Sequence, residues 1–224
     1  MIRDGFIKGG AEFLNITEDE FRENMEDVTE EALKDWNNKK DINDFYKNTL
    51  AYVYGLVAFN DDYRITNILH PFVGMKNKTV LDYGGGIGIL GMLLTSDNMV
   101  YYYDLDSKTK DFAKFMNTKL KNKITFIDDE TKIFENPIDV VICVDVLEHL
   151  VNPMKLIKTI TENLPKRGLF LTTGLDFSSS EKNPMHLREN YNYRKEYFEY
   201  MDKNYNVVFF HPTKNETIYL YLKK

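Results

Sequence analysis

The sequence predicts an α/β fold: a doubly wound, Rossmann-like, seven-stranded sheet with an antiparallel last strand, plus a helical N-terminal cap. Three observations predict it. From residue 78 onward, short apolar runs alternate with amphipathic stretches, the order of βαβ units around a parallel sheet. A glycine-rich loop, Gly84-Gly-Gly-Ile-Gly88-Ile-Leu-Gly91, follows directly on the first of those runs. Two strand-like segments close the chain, separated by the turn Pro212-Thr-Lys-Asn215, which is the pattern of an antiparallel pair.

Each element has its own signal. Residues 12–70 read as helical. Thr17 followed three residues later by Glu20 is a capping box, in which each residue satisfies an open hydrogen-bonding group of the other. Phe21, Met25, Val28, Leu33 and Trp36 then recur at roughly helical intervals. Asp41-Ile-Asn-Asp starts a second helix that runs through Phe45, Leu50, Val53, Val57 and Phe59, and His70-Pro71 ends the region. Residues 1–70 are the expected cap or lid, and 71–224 the expected ligand-binding domain. Within that domain, strands are expected at 79–83, 99–104, 124–127, 139–144 and 168–173. The run Asp139-Val-Val-Ile-Cys-Val is almost continuously apolar, as a strand covered on both faces must be. Helices are expected at 87–94, 109–120, 153–163 and about 193–201, the last after a polar loop from Gly174 to Asn190. Val207–Phe210 and Thr217–Leu222 form the closing pair.

The totals exclude several classes. A net charge of −6 with no basic cluster argues against a nucleic-acid partner. No apolar run is long enough to cross a bilayer, so no membrane partner is expected. Met1-Ile-Arg-Asp-Gly-Phe leads into no apolar signal segment, and the single cysteine, Cys143, forms no intrachain disulfide. A cytoplasmic, reducing compartment is expected. The four histidines have no close spacing, so no metal site of ordinary ligand type is expected.

The glycine loop admits two cofactors. Gly86-Ile-Gly88-Ile-Leu-Gly91 matches the dinucleotide pattern G-x-G-x-x-G, and Asp104 lies 18 residues after Gly86, near the offset of a ribose-binding acid. On that reading the protein is an NAD-dependent oxidoreductase. The acid before the loop opposes it. Asp82 gives Asp82-x-Gly84-x-Gly86-x-Gly88, and a carboxylate there would repel a pyrophosphate in a partly dry site.

Asp82 with its glycines resembles the first motif of class I S-adenosylmethionine (SAM)-dependent methyltransferases, and the resemblance extends to about residues 78–224. Tyr103-Asp-Leu-Asp-Ser107 resembles the end of the family's second strand, and Phe126-Ile-Asp-Asp129 the segment after its third. Asp139-Val-Val-Ile-Cys-Val-Asp-Val-Leu-Glu-His-Leu150, followed by Asn152-Pro153, is similar to the fourth-strand motif. His186-Leu-Arg-Glu is similar to a segment of the small-molecule O-methyltransferases of the ubiquinone-biosynthesis type. Before the fifth strand, Leu-Pro-Lys-Arg-Gly168 departs from the common Lys-Pro-Gly-Gly.

The resemblance implies SAM as cofactor and a small-molecule acceptor, such as a sugar or glycan precursor, a quinone-like phenol or a small amine. It places Asp82, Gly84, Gly86 and Gly88 at the methionine end, Asp104 at the ribose, and Asp128 or Asp129 at the adenine. Val144 and Asp145 end the fourth strand, the edge at which open α/β sheets bind ligands. His149, expected on the first turn of the next helix, and His186 are the candidate bases for a hydroxyl acceptor, because an imidazole accepts protons near neutral pH. Each of these residues also has a plainer reading, Asp82 as a helix cap and the histidines as hydrogen-bonded turn residues. A protein or peptide methyltransferase and a non-catalytic SAM-binding subunit would carry the same cofactor half.

Overall fold

The chain opens in a helix that its sequence does not announce. Gly5, Gly9 and Gly10 weigh against helix, yet Ile2–Leu14 forms α1. Two of those glycines let neighbours rest on bare backbone: a Cβ on Gly9 would fall 2.1 Å from the Met116 sulfur, and one on Gly10 2.3 Å from the Phe21 ring. Tertiary packing therefore selects them. In this computed structural model, which describes residues 1–173, 184–213 and 216–224, the N-terminal region continues through short helices. The Thr17–Glu20 capping box starts α2 (Glu18–Glu26), and the run expected to continue as one helix breaks at Asp27 before α3 (Val28–Asn38). The Asp41 carboxylate accepts from Asp44 N–H and starts α4 (Ile42–Asn48). The second expected helix also breaks, at Thr49, where the backbone turns extended and the hydroxyl donates to Asp35, before α5 (Ala51–Phe59). Asp61 caps α6 (Asp62–Leu69).

Thr79–Tyr83 (β1), Ile89–Leu94 (α7), Met99–Tyr103 (β2), Lys108–Lys119 (α8) and Ile124–Ile127 (β3) follow the expected alternation. So do Val140–Cys143 (β4), Pro153–Asn163 (α9), Leu169–Thr173 (β5) and Arg194–Asn204 (α10). Tyr205–Pro212 (β6) and Thr217–Lys223 (β7) end the chain. The seven strands form one sheet in the order β3-β2-β1-β4-β5-β7-β6. The first five run parallel, and β7 enters antiparallel between β5 and β6. Register is set by buried apolar pairs, with Val80 facing Val100 on one side and Val140 on the other. One apolar cluster joins Phe6, Ile7 and Val53 of the N-terminal helices to Val80, Val100 and Leu171 of the sheet. A second, under the opposite face, joins Leu81 and Val141 to Ile157 and Tyr197.

Two expectations need correction or a boundary. His149 does not lie on α9. It ends a 3-10 turn, Leu147–His149, because Pro153 at the first position of α9 forces an extended approach and Asn152 caps the helix. Of the expected loop 174–190 and the closing turn, residues 174–183, 214 and 215 lie outside the described residues.

Candidate active site

Strand order reverses between β1 and β4, and a cavity of about 580 Å³ opens there, at the carboxyl ends of the strands. Its floor is the loop from Asp82 to Leu90. Its sides come from the ends of β2 and β4, and its roof from α4, α5 and α6. That volume suits a drug-sized ligand.

The loop is held from beneath. Gly84 N–H donates to the Tyr103 carbonyl (2.7 Å), and the Tyr102 hydroxyl donates to the Gly86 carbonyl (2.6 Å). Gly84 and Gly86 take φ of 67° and 54°, left-handed values that favour glycine. At Gly85 a Cβ would meet the Tyr102 ring at 2.6 Å, so the backbone lies directly on that ring. Gly88 (φ 74°) precedes α7 as its N-cap.

Asp82 is buried, and its Oδ2 accepts from Gly91 N–H at 3.0 Å. It therefore both lines the cavity and caps α7. Burial, with the nearby Asp104 charge adding, pushes its carboxyl up to about 7. The native chain then holds a proton that the unfolded chain has released above about pH 4. Its contribution to stability is complete below about pH 4 and is lost as pH rises through about 7. Asp82→Asn does not titrate and keeps an acceptor for Gly91. Wild-type Tm is therefore expected to fall from pH 4 to 7 relative to Asp82→Asn, by up to the equivalent of about 4 kcal/mol. Parallel Tm profiles would show a normally titrating carboxyl.

Asp104 sits where β2 ends. Its Oδ2 accepts from Gly86 N–H and its Oδ1 from Leu105 N–H, both at 2.7 Å. Each oxygen keeps a further lone pair for a ligand hydroxyl. Burial raises its pKa, against the two backbone hydrogen bonds that lower it. Lys110, almost wholly buried, holds the turn by donating to the Asp104 carbonyl (3.2 Å) and to Asp106 (3.0 Å).

Asp128 and Asp129 are not in the cavity lining. Asp128 is exposed and paired with Lys110 and Lys114, and Asp129 caps the turn Glu130–Lys132 through Thr131. The acid of this segment that does line the cavity is Glu130, which accepts from the Tyr83 hydroxyl at 3.1 Å.

At the other end, Val144 and Asp145 follow β4 and both line the cavity. Asp145 adopts φ 53°, held by a reciprocal pair with Thr173: its N–H donates to Oγ1 and the hydroxyl donates back to Oδ1, each at 2.8 Å. Its Oδ2 accepts from Arg64 at 2.6 Å. Arg64 is a residue that sequence reasoning missed. Its buried guanidinium also donates twice to Glu216 (2.8 and 2.7 Å) and once to Asn60 (2.5 Å), so α6 is tied to the ends of β4 and β7. No local signal marks it, because its acidic partners lie 81 and 152 residues away.

His149 lines the cavity against the rings of Tyr46 and Tyr52, with centroids at 6.0 and 6.5 Å. Burial, reinforced by His186, pushes its pKa down to about 4, so the ring is neutral at neutral pH. Burial raises the Tyr46 and Tyr52 phenols well above their usual range, so both stay protonated. His186, from the segment after β5, packs edge-on to His149 with centroids 5.1 Å apart. Together with Glu148 the two histidines form a group of possible metal ligands that sequence spacing hides.

Among the described residues the lining carries five acidic side chains (Asp41, Asp82, Asp104, Glu130 and Asp145), Asp82 keeping its proton up to about pH 7, against one guanidinium, Arg64. That field suits a cationic ligand and disfavours a pyrophosphate. The N–H of Gly86, which a dinucleotide phosphate would seek, is already bonded to Asp104. Sheet order and glycine loop are those of the class I methyltransferase fold.

The comparisons agree. The chain belongs to the family described as methyltransferase domain, whose model matches residues 58–209. It is 28% identical over 111 residues to a ubiquinone biosynthesis O-methyltransferase of Hydrogenovibrio crunogenus, a stretch covering 47% of this chain and 46% of that one. The match thus spans under half of that relative's length. Among solved structures, magnesium protoporphyrin IX methyltransferase from Synechocystis with bound S-adenosylhomocysteine shares 16% identity. Its TM-score is 0.58, over 79% of this chain and 89% of that one. A SAM-dependent methyltransferase from Aquifex aeolicus shares 17% identity at a TM-score of 0.56, over 74% and 95%. These likenesses establish the fold, and the cofactor of the family is SAM.

Proposed function

We propose that this protein transfers a methyl group from SAM to a hydroxyl on a small, flat, ring-bearing metabolite. SAM supplies a methyl group made electrophilic by its sulfonium. The chain's work is to bind, orient and exclude water. Asp104 takes the ribose hydroxyls, the loop Gly84–Gly88 with Asp82 beneath it receives the methionine end, and Val144 and Asp145 border the methyl group. Residues 1–70 act as the lid, because α4, α5 and α6 roof the cavity.

The observation that carries the choice of acceptor is the ring-lined end of the cavity. Tyr46 and Tyr52, edge-to-face at 5.4 Å, and His149 leave a slot bounded by aromatic faces and edges. A planar phenol fits such walls. The similarity to an O-methyltransferase of ubiquinone biosynthesis supports the same acceptor chemistry. A sugar precursor is the second reading, supported by Asp41 and Asn43, which also line the cavity and offer polar contacts.

The test is a methyl-transfer assay with labelled SAM, a catechol and a monosaccharide side by side. Label on the phenolic oxygen supports the proposal, and label on the sugar alone selects the second reading. Saturable binding of NADH without binding of S-adenosylhomocysteine would overturn both.

A further inference from the structure

Met185 belongs to two parts of the molecule at once. Its side chain is buried in the cap's own apolar cluster with Ala32, Phe45 and Ala51, and Trp36, Tyr46 and Tyr52 pack against that cluster. Its carbonyl oxygen lies 3.1 Å from Nδ1 of His149, which lines the cavity. The backbone that follows Met185 is fastened to the turn that carries His149. Leu187 N–H donates to the Glu148 carbonyl at 3.0 Å. The fully buried Asn190 side chain donates to the same carbonyl at 2.9 Å and to that of Leu147 at 3.4 Å.

A carbonyl can only accept a hydrogen bond. With Met185 as partner, His149 Nδ1 therefore carries the proton and Nε2 keeps the lone pair. The partner of one ring nitrogen sets the state of the other. The His149 ring itself stands edge-on to Tyr46, Tyr52 and His186, with centroids at 6.0, 6.5 and 5.1 Å. Two of those three rings also pack against the Met185 cluster. The cap thus reaches His149 by two routes, ring against ring and through the Met185 backbone.

We propose that Met185 is a positioning residue that couples the packing of the cap to the tautomer of His149. With its side chain seated among α3, α4 and α5, its carbonyl is held opposite Nδ1, and the lone pair is fixed on Nε2. Without that seat the carbonyl loses its fixed direction, and the proton can move to Nε2. A ring protonated there has no lone pair on that nitrogen to receive another proton. On the methyl-transfer reading, the acceptor hydroxyl passes its proton to Nε2. Its oxygen lone pair then forms the bond to the methyl carbon, and the C–S electron pair stays on sulfur. That use rests on the methyl-transfer reading; the coupling itself does not.

The test is the ring nitrogen NMR spectrum of the ¹⁵N-labelled full chain near neutral pH, with the His149 signals assigned by their loss in His149→Gln. The wild type is expected to show His149 protonated on Nδ1. Met185→Ala empties the seat, and Phe45→Leu loosens it from the cap side; both should shift His149 toward the Nε2-protonated form. Met185→Leu, close in volume, should restore the wild-type spectrum. In Met185→Ala, kcat should fall about tenfold, while S-adenosylhomocysteine affinity stays within about twofold. A wild-type His149 protonated on Nε2 overturns the proposal. So does an unshifted tautomer in Phe45→Leu, or a fall in kcat without a tautomer shift, which marks a packing loss only. If Met185→Ala fails to fold, Phe45→Leu alone decides. Absence of methyl transfer to any acceptor, with the tautomer shifts present, would instead sink the methyl-transfer reading and leave the coupling standing.

Discussion

Replacing Arg64 by Met is expected to lower unfolding stability by about 3–5 kcal/mol, the cost of breaking a buried ion group by removing one partner. The side chain is only 9% exposed and sits between Asp145 and Glu216, themselves 26% and 11% exposed. Without the guanidinium, two carboxylates share one poorly solvated site with no counter-charge. The guanidinium also lies over the Phe59 ring, 4.3 Å from its centroid. Because Arg64 belongs to α6 while its partners end β4 and begin β7, the loss also loosens the roof over the cavity. Chemical denaturation measures the first effect, and KM for the acceptor should rise more than kcat falls. A loss below about 1 kcal/mol would show a group behaving like a solvated surface pair. Arg64→Met combined with Glu216→Gln should recover part of the loss, because it removes one of the stranded charges.

Asp104→Ala is expected to weaken S-adenosylhomocysteine binding by a hundredfold or more, about 3 kcal/mol, roughly the worth of two hydrogen bonds to a charged group. The carboxylate serves the site twice. It offers free lone pairs to a ribose, and it ties Gly86 to the end of β2 through the 2.7 Å hydrogen bond from Gly86 N–H. Alanine removes both. Asp104→Asn keeps an oxygen for one backbone partner and should fall between the two. Calorimetric titration reads the affinity, and an unchanged Tm would assign the loss to the site rather than to the fold. Unchanged affinity in Asp104→Ala would sink the ribose assignment.

Much of this protein is legible along the chain, because the relevant physics is local. An apolar run such as Val140–Cys143 has only one sensible place, the middle of a covered sheet, and its four residues are all buried there. Thr17 and Glu20 satisfy each other within one turn, so their cap can be read without knowing the fold. Gly84 and Gly86 need left-handed backbone, and the acids Asp82 and Asp104 end strands that deliver them to the same edge. The fold class and the cofactor follow from these.

What the tertiary structure alone decided depends on contacts between distant residues. α1 forms through Gly9 and Gly10 because Met116 and Phe21 fill the space a side chain would take. Asp128 and Asp129 stand beside each other in sequence, but lysines on α8 hold the first outside the cavity and Thr131 turns the second away, leaving Glu130 to line it. Arg64 gains its role only when α6 lies across the ends of β4 and β7. His149 and His186 come together through hydrogen bonds between turns that no spacing rule connects. Periodicity and capping act over a few residues and so are written in local order. Charge pairing and ligand grouping act through space, where neighbours are set by the packing of the whole sheet and its cap.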